Sequence, residues 1–314
     1  MTGIGGRLLA GIMLAALGAP ASADTPPARA TWTTLGTNSG PIPRKDRSEP
    51  ANLLRYGDQA ILVDAGDGAS VQLAKAGVPL AGLHALVISH LHFDHTGGLF
   101  AVIAERYQMI APGKLVIYGP PGTKEMVRGL IAAMHPSPSS GPGARVPPDQ
   151  TVEVNEVGDG AQFTIGAVHI TAAANTHYAA TPAAAGDVSL SYRFDTPGRS
   201  ITYTGDTGPS EKVEALARGT DLLVSEIIDP QDAISQLRRT RPDVTEAQLA
   251  VVMRHYEQEH LPPQQAGQLA RRAGAKALVL THDAVDPQRT PELLPGIAAE
   301  YHGPVRFARD LDTF

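Results

Sequence analysis

The chain has 314 residues, of which 42% are hydrophobic and 18% charged, which suits one large domain or two small ones with an ample core. The formal net charge is −6, and no long basic run is present, so composition disfavours a nucleic-acid binder. Cysteine is absent, which excludes disulfides and thiolate metal ligands.

The first 23 residues differ in character from the rest. Arg7 precedes an almost wholly apolar run from Leu8 to Leu17, and Ala21-Ser22-Ala23 fits the small-residue pattern at which secretory signals are cleaved. The apolar run is too short to span a bilayer comfortably. We therefore predict a signal peptide over residues 1–23, a single domain over 24–314, a periplasmic or secreted location and no membrane association after cleavage. A retained anchor or a mis-assigned start codon is the alternative.

Short apolar runs separated by turn signals predict strands that interleave with helices. Strands are predicted at 32–35, 52–56, 60–64, 85–88, 115–118, 162–165, 168–172, 189–194, 200–204, 221–225 and 277–281. Helices are predicted at 70–76, from 99, at 123–134 with Thr123 as N-cap, at 210–218, from 245 and from 262. The mixture favours an α/β (α+β mixed) fold with two sheets and helices outside them.

The densest polar cluster follows the strand predicted at 85–88. His90, His92, Asp94 and His95 fall within six residues, on a loop between that strand and a helix. Imidazole and carboxylate at this density suit zinc, and also iron or manganese. The alternative is a polar loop whose histidines cap the following helix.

Three more polar residues, His177, Asp206 and His282, each follow the end of a predicted strand. Taken singly, such histidines are often hydrogen-bonded loop residues, and an aspartate in Gly205-Asp206-Thr207-Gly208 is often part of a turn. Ligands placed at one rim of a sheet core can meet at one point. Together with the first cluster they make seven candidate ligands, which suits two divalent ions.

The pattern His90-x-His92-x-Asp94-His95 resembles the signature of the metallo-β-lactamase superfamily. The resemblance implies an αββα four-layer sandwich from about Trp32 to Phe314 and a centre of two Zn²⁺, with Fe or Mn as alternatives. Position by position, it implies His90, His92 and His177 as ligands of the first metal. It implies Asp94, His95 and His282 as ligands of the second metal, with Asp206 bridging both. Asp64 resembles an early family aspartate that supports a ligand without binding metal itself.

A binuclear centre of this kind implies a hydrolase whose nucleophile is a metal-bridging hydroxide, which Asp94 could orient or deprotonate. The bridging Asp206 is expected in phosphodiesterase, arylsulfatase, lactonase and glyoxalase-like members. The β-lactamases that give the superfamily its name lack that bridge. The resemblance therefore disfavours β-lactam hydrolysis as the main activity.

Other stretches, among them Leu35-Gly36-Thr37 and Tyr203-Thr204-Gly205-Asp206-Thr207, resemble the branch of RNase Z and the secreted arylsulfatase-like hydrolases. In RNase Z-like enzymes a glutamate after a strand holds a histidine upstream of the last ligand, and Glu226 and His260 occupy those places. A protonated His260 can donate to the leaving oxygen, and Glu226 would keep the ring charged and oriented. The alternative is that His260 caps the helix after Pro262.

The chain also departs from RNase Z. Ser225 replaces a histidine, Leu261 replaces a serine or threonine, and no long flexible arm is evident. With the acidic balance and the predicted leader, these departures favour a small anionic ester as substrate. We therefore expect an exported binuclear zinc-dependent hydrolase of phosphodiester or sulfate-ester type. Nucleic acid is not expected as a partner, and a homodimer is compatible with the resemblance.

Three other functions stay open. They are an RNase Z-like 3′ tRNA-processing endoribonuclease, a lactone or β-lactam hydrolase, and a non-catalytic metal-binding or scaffold protein, which the complete set of seven ligand positions disfavours. The loop cations Arg44, Lys45 and Arg47 either bind an anionic ester or form a solvated charge cluster. The remaining histidines are interpreted as structural or surface residues: His84, His135, His169, His255 and His302.

Overall fold

The computed structural model describes residues 2, 29–134, 146–180, 186–283, 285 and 288–314. Apart from Thr2, the predicted signal peptide at residues 1–23 lies outside these described residues, as does His135, which is predicted to be a structural or surface residue. Among the described residues, we find no helix with the length and apolar character needed to cross a membrane.

Two seven-stranded sheets form the centre of the fold. The first has the order β14-β1-β2-β3-β4-β5-β6, with β1 Thr31–Gly36, β2 Ala51–Tyr56, β3 Gln59–Ala65, β4 Ala85–Val87, β5 Leu115–Gly119, β6 Val152–Glu156 and β14 Asp312–Thr313. The second has the order β13-β12-β11-β10-β9-β8-β7, with β7 Gln162–Ile165, β8 Val168–Ala174, β9 Leu190–Thr196, β10 Arg199–Tyr203, β11 Leu222–Glu226, β12 Leu278–Thr281 and β13 Val305–Phe307.

Nine helices accompany the sheets in the described part of the chain, and six of them cover the outer faces. The nine are α1 Ala69–Lys75, α2 Phe93–Thr96, α3 Leu99–Gln108, α4 Thr123–Ala133, α5 Glu211–Leu216, α6 Pro230–Thr240, α7 Glu246–Gln258, α8 Pro263–Ala273 and α9 Thr290–Ala298. Helices α1, α3 and α4 share an apolar cluster with the first sheet, and α5, α8 and α9 share another with the second.

The largest side chains of the core lie between the two sheets. Trp32 of the first sheet packs 5.6 Å, centroid to centroid, from both Phe194 and Tyr203 of the second. Alternation along β3 explains how one strand serves two layers: Ile61 and Val63 face the inter-sheet core, whereas Leu62 faces the helices. The layers are therefore helix, sheet, sheet and helix, which confirms the expected αββα sandwich.

The sequence missed several elements. Helix α6, between Asp229 and Arg241, was not predicted, although Asp229 caps it and Pro230 is its first residue. Strands β6, β13 and β14 were also missed, because they are short strands at the edges of the sheets, where few apolar residues are buried. Thr123 is the first helical residue of α4 rather than its N-cap, which is Gly122.

Strand direction determines where the polar residues gather. Strand β4 runs parallel to β3, and β10, β11 and β12 run parallel to one another. Strand β8 is antiparallel to β9, which is antiparallel to β10, so β8 and β10 point the same way. The carboxyl ends of these strands therefore lie at one edge of the sandwich, where loops can bring side chains together.

Candidate metal centre

All seven predicted ligands meet at this edge. One group of candidate ligand atoms comes from His90, His92, His177 and Asp206, and a second from Asp94, His95 and His282, and within each group these atoms lie within 4.8 Å of one another. The first group joins the loop after β4 to those after β8 and β10. The second joins helix α2 to the residue after β12. The structure thus brings together side chains up to 192 positions apart in the chain.

Asp206 lies between the two groups. Its Oδ1 is 3.2 Å from Nε2 of His95, and its Oδ2 is 3.2 Å from Nε2 of His282. The same Oδ2 is 3.8 Å from Nε2 of His90 and 4.0 Å from Nε2 of His177. Ligands that bind a tetrahedral cation at ~2.1 Å are spaced roughly 3.4 Å apart. These distances fit a carboxylate that shares cations with both groups.

Asp94 completes the second group. Its Oδ2 lies 3.4 Å from Nε2 of His282 and 3.7 Å from Nε2 of His95. The backbone N–H of Gly40, on the loop after β1, donates to the same oxygen at 2.9 Å. A Cβ on residue 40 would lie 2.5 Å from the Cβ of Asp94, so only glycine allows this approach. The β1–β2 loop therefore holds Asp94 in place.

Buried atoms without partners show that these residues fit a cation. Within the described part of the chain, Nε2 of His90, Nε2 of His95 and Oδ1 of Asp206 are buried and make no hydrogen bond. Buried polar atoms are normally paired, and leaving one unpaired costs about 1–3 kcal/mol. Three such atoms at the rim are accounted for by divalent cations, which would accept these lone pairs.

In His177 and His95, a contact at Nδ1 fixes the ring so that Nε2 faces the candidate metal centre. Nδ1 of His177 donates to the backbone carbonyl of Glu259 at 3.1 Å, which leaves its Nε2 as an acceptor. Nδ1 of His95 lies 2.8 Å from Oδ2 of Asp64. This arrangement is typical of metal-binding histidines, whose second nitrogen donates to a carboxylate or carbonyl.

Two residues of the site, one supporting residue and one candidate ligand, have a strained backbone. Asp64 has a φ of 59° and His282 a φ of 51°, both in the left-handed region that non-glycine residues rarely adopt. Asp64 is the next-to-last residue of β3, and His282 directly follows β12. Strain of this kind costs of order 1–3 kcal/mol and persists where the surroundings demand a particular side-chain direction.

Interactions between charged groups of the candidate metal centre offset part of the free-energy cost of burying them. Burial by itself would raise the pKa of Asp206, but His282 and His95 outweigh it and hold that pKa well below its ordinary value. Burial lowers the pKa of His177 to about 3 and that of His90 well below its usual range. For these two rings, neutral imidazole beside an ionised carboxylate is the protonation state that binds a divalent cation. In the second group, burial by itself would lower the pKa, but Asp206 and Asp94 outweigh it and raise the pKa of His282 to about 9 and that of His95 well above its ordinary value. These rings would therefore give up a proton when a cation binds.

Glu226 and His260 form a buried pair next to the centre. Oε2 of Glu226 lies 2.6 Å from Nδ1 of His260, and its Oε1 accepts from the backbone N–H of Thr207 at 2.5 Å. Burial lowers the pKa of His260 to about 3 and raises the pKa of Glu226 well above its ordinary range. The two directions favour a proton shared across the contact, which differs from the expectation of a permanently charged ring.

A cavity of about 700 Å³ opens onto the centre. Its walls include His92, Asp94 and Asp206 on one side and residues of α6 and α7 on the other. Of the three loop cations, Arg44 lines the cavity, whereas Arg47 is buried against Asp283, with its Nη1 2.7 Å from Oδ1. Arg47 is therefore a structural residue and does not face a substrate.

Sequence reasoning missed His255, which lines this cavity, and its buried partner Glu259. His255 was interpreted as structural or surface, but it lines the cavity and its Nε2 lies 3.3 Å from Nε2 of His260. Its Nδ1 contacts Glu259, four residues later. The i,i+4 spacing on a predicted helix was the signal that could have revealed the pair.

Comparison with curated proteins finds relatives over most of the chain. Ribonuclease Z of Mycobacterium bovis (strain BCG / Pasteur 1173P2) is 32% identical over 293 residues, which cover 89% of this chain and 95% of the relative. Ribonuclease Z of Mycobacterium tuberculosis (strain ATCC 25618 / H37Rv) is likewise 32% identical over 292 residues.

These relatives correct three predictions. The main prediction of an exported phosphodiesterase or arylsulfatase-like hydrolase is wrong, because the relatives are named ribonuclease Z. The prediction that nucleic acid is not a partner is wrong for the same reason, since a net charge summed over a chain does not describe the charge around one cavity. The prediction of a periplasmic or secreted location is overturned by the same relatives, and it was based on a short apolar pattern outside the described residues.

Solved structures share the fold. The metallo-beta-lactamase fold protein YhfI from Bacillus subtilis aligns with a TM-score of 0.67 and 20% identity, covering 91% of this chain and 98% of that one. Human tRNase Z, short form, aligns with a TM-score of 0.63 and 20% identity, covering 90% and 98%. At these identities the likeness concerns the fold alone.

The beta-lactamase superfamily domain matches residues 59–282, which include every candidate ligand. With the αββα sandwich and the histidine–aspartate cluster at its rim, this match shows that the chain belongs to the metallo-β-lactamase superfamily of metal-dependent hydrolases, with a divalent metal site at that rim.

Proposed function

We propose that this chain is an RNase Z-like metal-dependent endoribonuclease that trims the 3′ end of precursor tRNA, built as a single domain over residues 24–314. The observation that carries the proposal is the Glu226–His260 pair, with its 2.6 Å contact beside the cluster of seven candidate ligands. In RNase Z-like enzymes such a pair stands beside the metals and serves the leaving group. The ribonuclease Z relatives, which match over 89% of the chain, support the same activity.

The proposed centre holds two Zn²⁺. His90, His92 and His177 are the proposed ligands of the first, Asp94, His95 and His282 those of the second, and Asp206 the bridge. The proposal is supported by the spacing of the ligand atoms, which lie within 4.8 Å of one another in each group, and by the central position of Asp206. When bound, such a pair of cations polarises a phosphoryl group and lowers the pKa of a water molecule toward 7.

The protein's own residues prepare the centre for this chemistry. Asp64 and the carbonyl of Glu259 direct the inner nitrogens of His95 and His177 toward the cluster. Asp94, held by the Gly40 N–H, presents a carboxylate oxygen that can orient an attacking water molecule or accept its proton.

His260 supplies the proton that the leaving oxygen requires. Cleavage of the phosphodiester breaks a P–O bond, and the electron pair stays on an alkoxide that is a poor leaving group unless it is protonated. The Nε2 of His260 faces the cavity side of the ring, because Nδ1 is engaged with Glu226. The proton shared across that contact can move to Nδ1 as Nε2 gives up its own, so Glu226 compensates the charge that develops.

The acidic net charge does not prevent RNA from reaching the cavity. Arg44 and Arg241 both line it, so cations lie within reach of a substrate phosphate although the whole chain carries −6. Phosphate contacts of this kind weaken as salt concentration rises, because bound counterions are released. We therefore expect activity on RNA to fall with increasing ionic strength.

The test is cleavage of a 5′-labelled precursor tRNA with a 3′ trailer by the purified, zinc-loaded chain. We expect one product of mature length at low salt, and loss of that product in His260→Ala with zinc content unchanged. His302→Ala, at an exposed position outside the cavity, is the matched control and should cleave normally. A fully zinc-loaded protein that leaves precursor tRNA intact at low salt would overturn the proposal.

A further inference from the structure

A second carboxylate–imidazole pair lies beside the first. His255, in the last turn of α7, contacts Oε2 of Glu259 through its Nδ1. Its Nε2 lies 3.3 Å from Nε2 of His260, and the two ring centroids are 5.0 Å apart with the planes at 85°. Glu226, His260, His255 and Glu259 therefore form one continuous row in which the two imidazoles meet in the middle.

Glu259, the carboxylate at the outer end of this row, is buried and held by hydrogen bonds. Glu259 is only 1% exposed, its Oε1 accepts from the backbone N–H of Ala180 at 2.8 Å, and its backbone carbonyl accepts from His177. Burying a carboxylate costs several kcal/mol unless it is well paired. The imidazole ring that Glu259 contacts is more accessible than Glu259 itself, because the His255 side chain is 34% exposed and lines the cavity. The buried carboxylate thus orients a ring that faces substrate space.

The contact between the two rings supplies a hydrogen-bond donor to the cavity. Two bare nitrogen lone pairs would repel each other at 3.3 Å, so at least one Nε2 carries a hydrogen. An oxygen atom that separates the two rings can replace this contact, and it accepts a hydrogen bond from each ring when both Nε2 atoms carry a hydrogen. Asp206 and His282 line the same cavity, so such an oxygen would lie beside the candidate metal ligands.

We propose that His255 is a second substrate-contacting residue, whose Nε2–H donates a hydrogen bond to the same leaving oxygen as His260, with Glu259 as its positioning residue. The inference rests on the proposed phosphodiester cleavage and extends it to a residue with no assigned role. The oxygen of an attacking water molecule bonds to phosphorus and passes a proton to Asp94. As the other P–O bond breaks, its electron pair stays on the leaving oxygen, and the His260 Nε2 proton is transferred to that oxygen. His255 keeps its own proton and stabilises the developing negative charge, so no co-reactant is needed.

The dependence on the leaving group distinguishes this role from a structural one. Zinc-loaded wild-type protein and His255→Ala are compared on precursor tRNA, which releases an alkoxide, and on bis-p-nitrophenyl phosphate, which releases a stabilised phenolate. A hydrogen bond to a charged group is worth about 10–100-fold in rate. We expect His255→Ala to lower kcat on precursor tRNA by about this factor, and by less than about threefold on the nitrophenyl ester. KM and zinc content should change little.

Two further variants separate the contact from its support. His255→Gln places an amide N–H near the position of Nε2 and should recover much of the lost kcat on precursor tRNA. Glu259→Gln leaves the ring in place but weakens its orientation, so it should give an intermediate loss. His302→Ala is again the control, since His302 is exposed and does not line the cavity.

A measurement without turnover keeps the inference separate from the proposed function. Inorganic phosphate, titrated into zinc-loaded protein by calorimetry, offers an oxygen to both rings, and His255→Ala should weaken its binding several-fold relative to His302→Ala. If wild-type protein binds phosphate in this way but leaves precursor tRNA intact, the proposed function fails and the inference stands. Equal kcat losses on both substrates, or no change in phosphate binding in His255→Ala, would overturn the inference.

Discussion

Oδ2 of Asp64, a residue of strand β3 with a φ of 59°, lies 2.8 Å from Nδ1 of His95. The same oxygen accepts from the hydroxyls of Tyr203 and Ser89, each at 2.8 Å, and Oδ1 accepts from the backbone N–H of Ser89 at 2.7 Å. Four donors therefore converge on one buried carboxylate. It fixes the ring of a candidate metal ligand without approaching the cation site itself.

Replacing Asp64 by Asn should weaken metal binding. An amide offers one acceptor oxygen where the carboxylate offers two, so it cannot satisfy all four donors, and the orientation of His95 is lost. Loss of such a supporting group typically costs 10–100-fold in metal affinity. We expect that decrease in zinc affinity, measured by competition with a chromogenic chelator.

Asp67→Asn is the matched control, because Asp67 is exposed and lies three residues further along the same segment. It should bind zinc like the wild type. Equal zinc affinities for Asp64→Asn and Asp67→Asn would show that Asp64 does not orient His95.

Replacing His260 by Ala should lower turnover and leave the metals in place. The side chain contacts Glu226 and His255 and is a proposed proton donor, not a proposed ligand. General acid catalysis contributes about 10²–10⁴-fold in rate, so kcat on precursor tRNA should fall by that range. Zinc content, measured by atomic emission on the same preparation, decides the assignment. A His260→Ala protein that loses zinc would place His260 among the ligands.

The sequence predicted which polar residues gather at one rim of the fold because their signals are local. His90, His92, Asp94 and His95 stand within six residues, and His177, Asp206 and His282 each follow an apolar strand. Strand ends are visible in a sequence, and parallel strands place their carboxyl ends at one edge of a sheet. The αββα layers came from family resemblance, since alternation alone does not reveal which sheet a strand joins.

The rest of the site could not be predicted because it depends on which loops face each other. The N–H of Gly40 reaches Asp94 from 54 residues away, and the contact between His255 and His260 requires α7 to pack over the cavity. Summed charge misled the prediction of partner class, because −6 over the chain does not report the arginines near one cavity. Arg47 was considered for substrate binding, but its partner, Asp283, is 236 residues further along the chain.

Gly40→Ala should disturb the second ligand group. A Cβ at residue 40 would lie 2.5 Å from both Cβ and Cγ of Asp94, so the carboxylate must move away from His282. We expect zinc occupancy to fall toward one ion per chain, measured after dialysis against a fixed free-zinc buffer. Gly158→Ala is the control, because its Cβ would meet no atom within 4 Å. Full occupancy of both sites in Gly40→Ala would contradict this role of the β1–β2 loop.

Asp221 should make stability depend on acid pH. Burial by itself would raise its pKa, but Lys276 Nζ at 2.7 Å and the N–H and hydroxyl of Ser200 outweigh it and lower the pKa to about 2. A carboxyl with a folded pKa below its unfolded value adds stability above about pH 4, which is lost as pH falls toward 2. After allowance for solvent screening, the contribution is about 1 kcal/mol.

Asp221→Asn therefore should be less stable than the wild type by about that amount at pH 7, measured by urea unfolding of the chelator-treated protein. The difference should shrink between pH 4 and pH 2, because the wild-type carboxyl becomes protonated there. A difference that stays constant over this range would show that the interaction with Lys276 and Ser200 does not depend on ionisation.

Arg47→Met should destabilise the protein without removing a substrate contact. The guanidinium donates to the Asp283 carboxylate at 2.7 Å and to the carbonyls of Asp283 and Val285 at 3.1 and 2.6 Å. Burial raises the pKa of Asp283, and Arg47 opposes that rise. Removing one partner of a buried pair leaves the other uncompensated, at a cost of roughly 3–5 kcal/mol. Urea unfolding should show this loss for Arg47→Met and less than about 0.5 kcal/mol for the exposed Lys45→Met. A KM increase on precursor tRNA at unchanged stability would instead make Arg47 a substrate-binding residue.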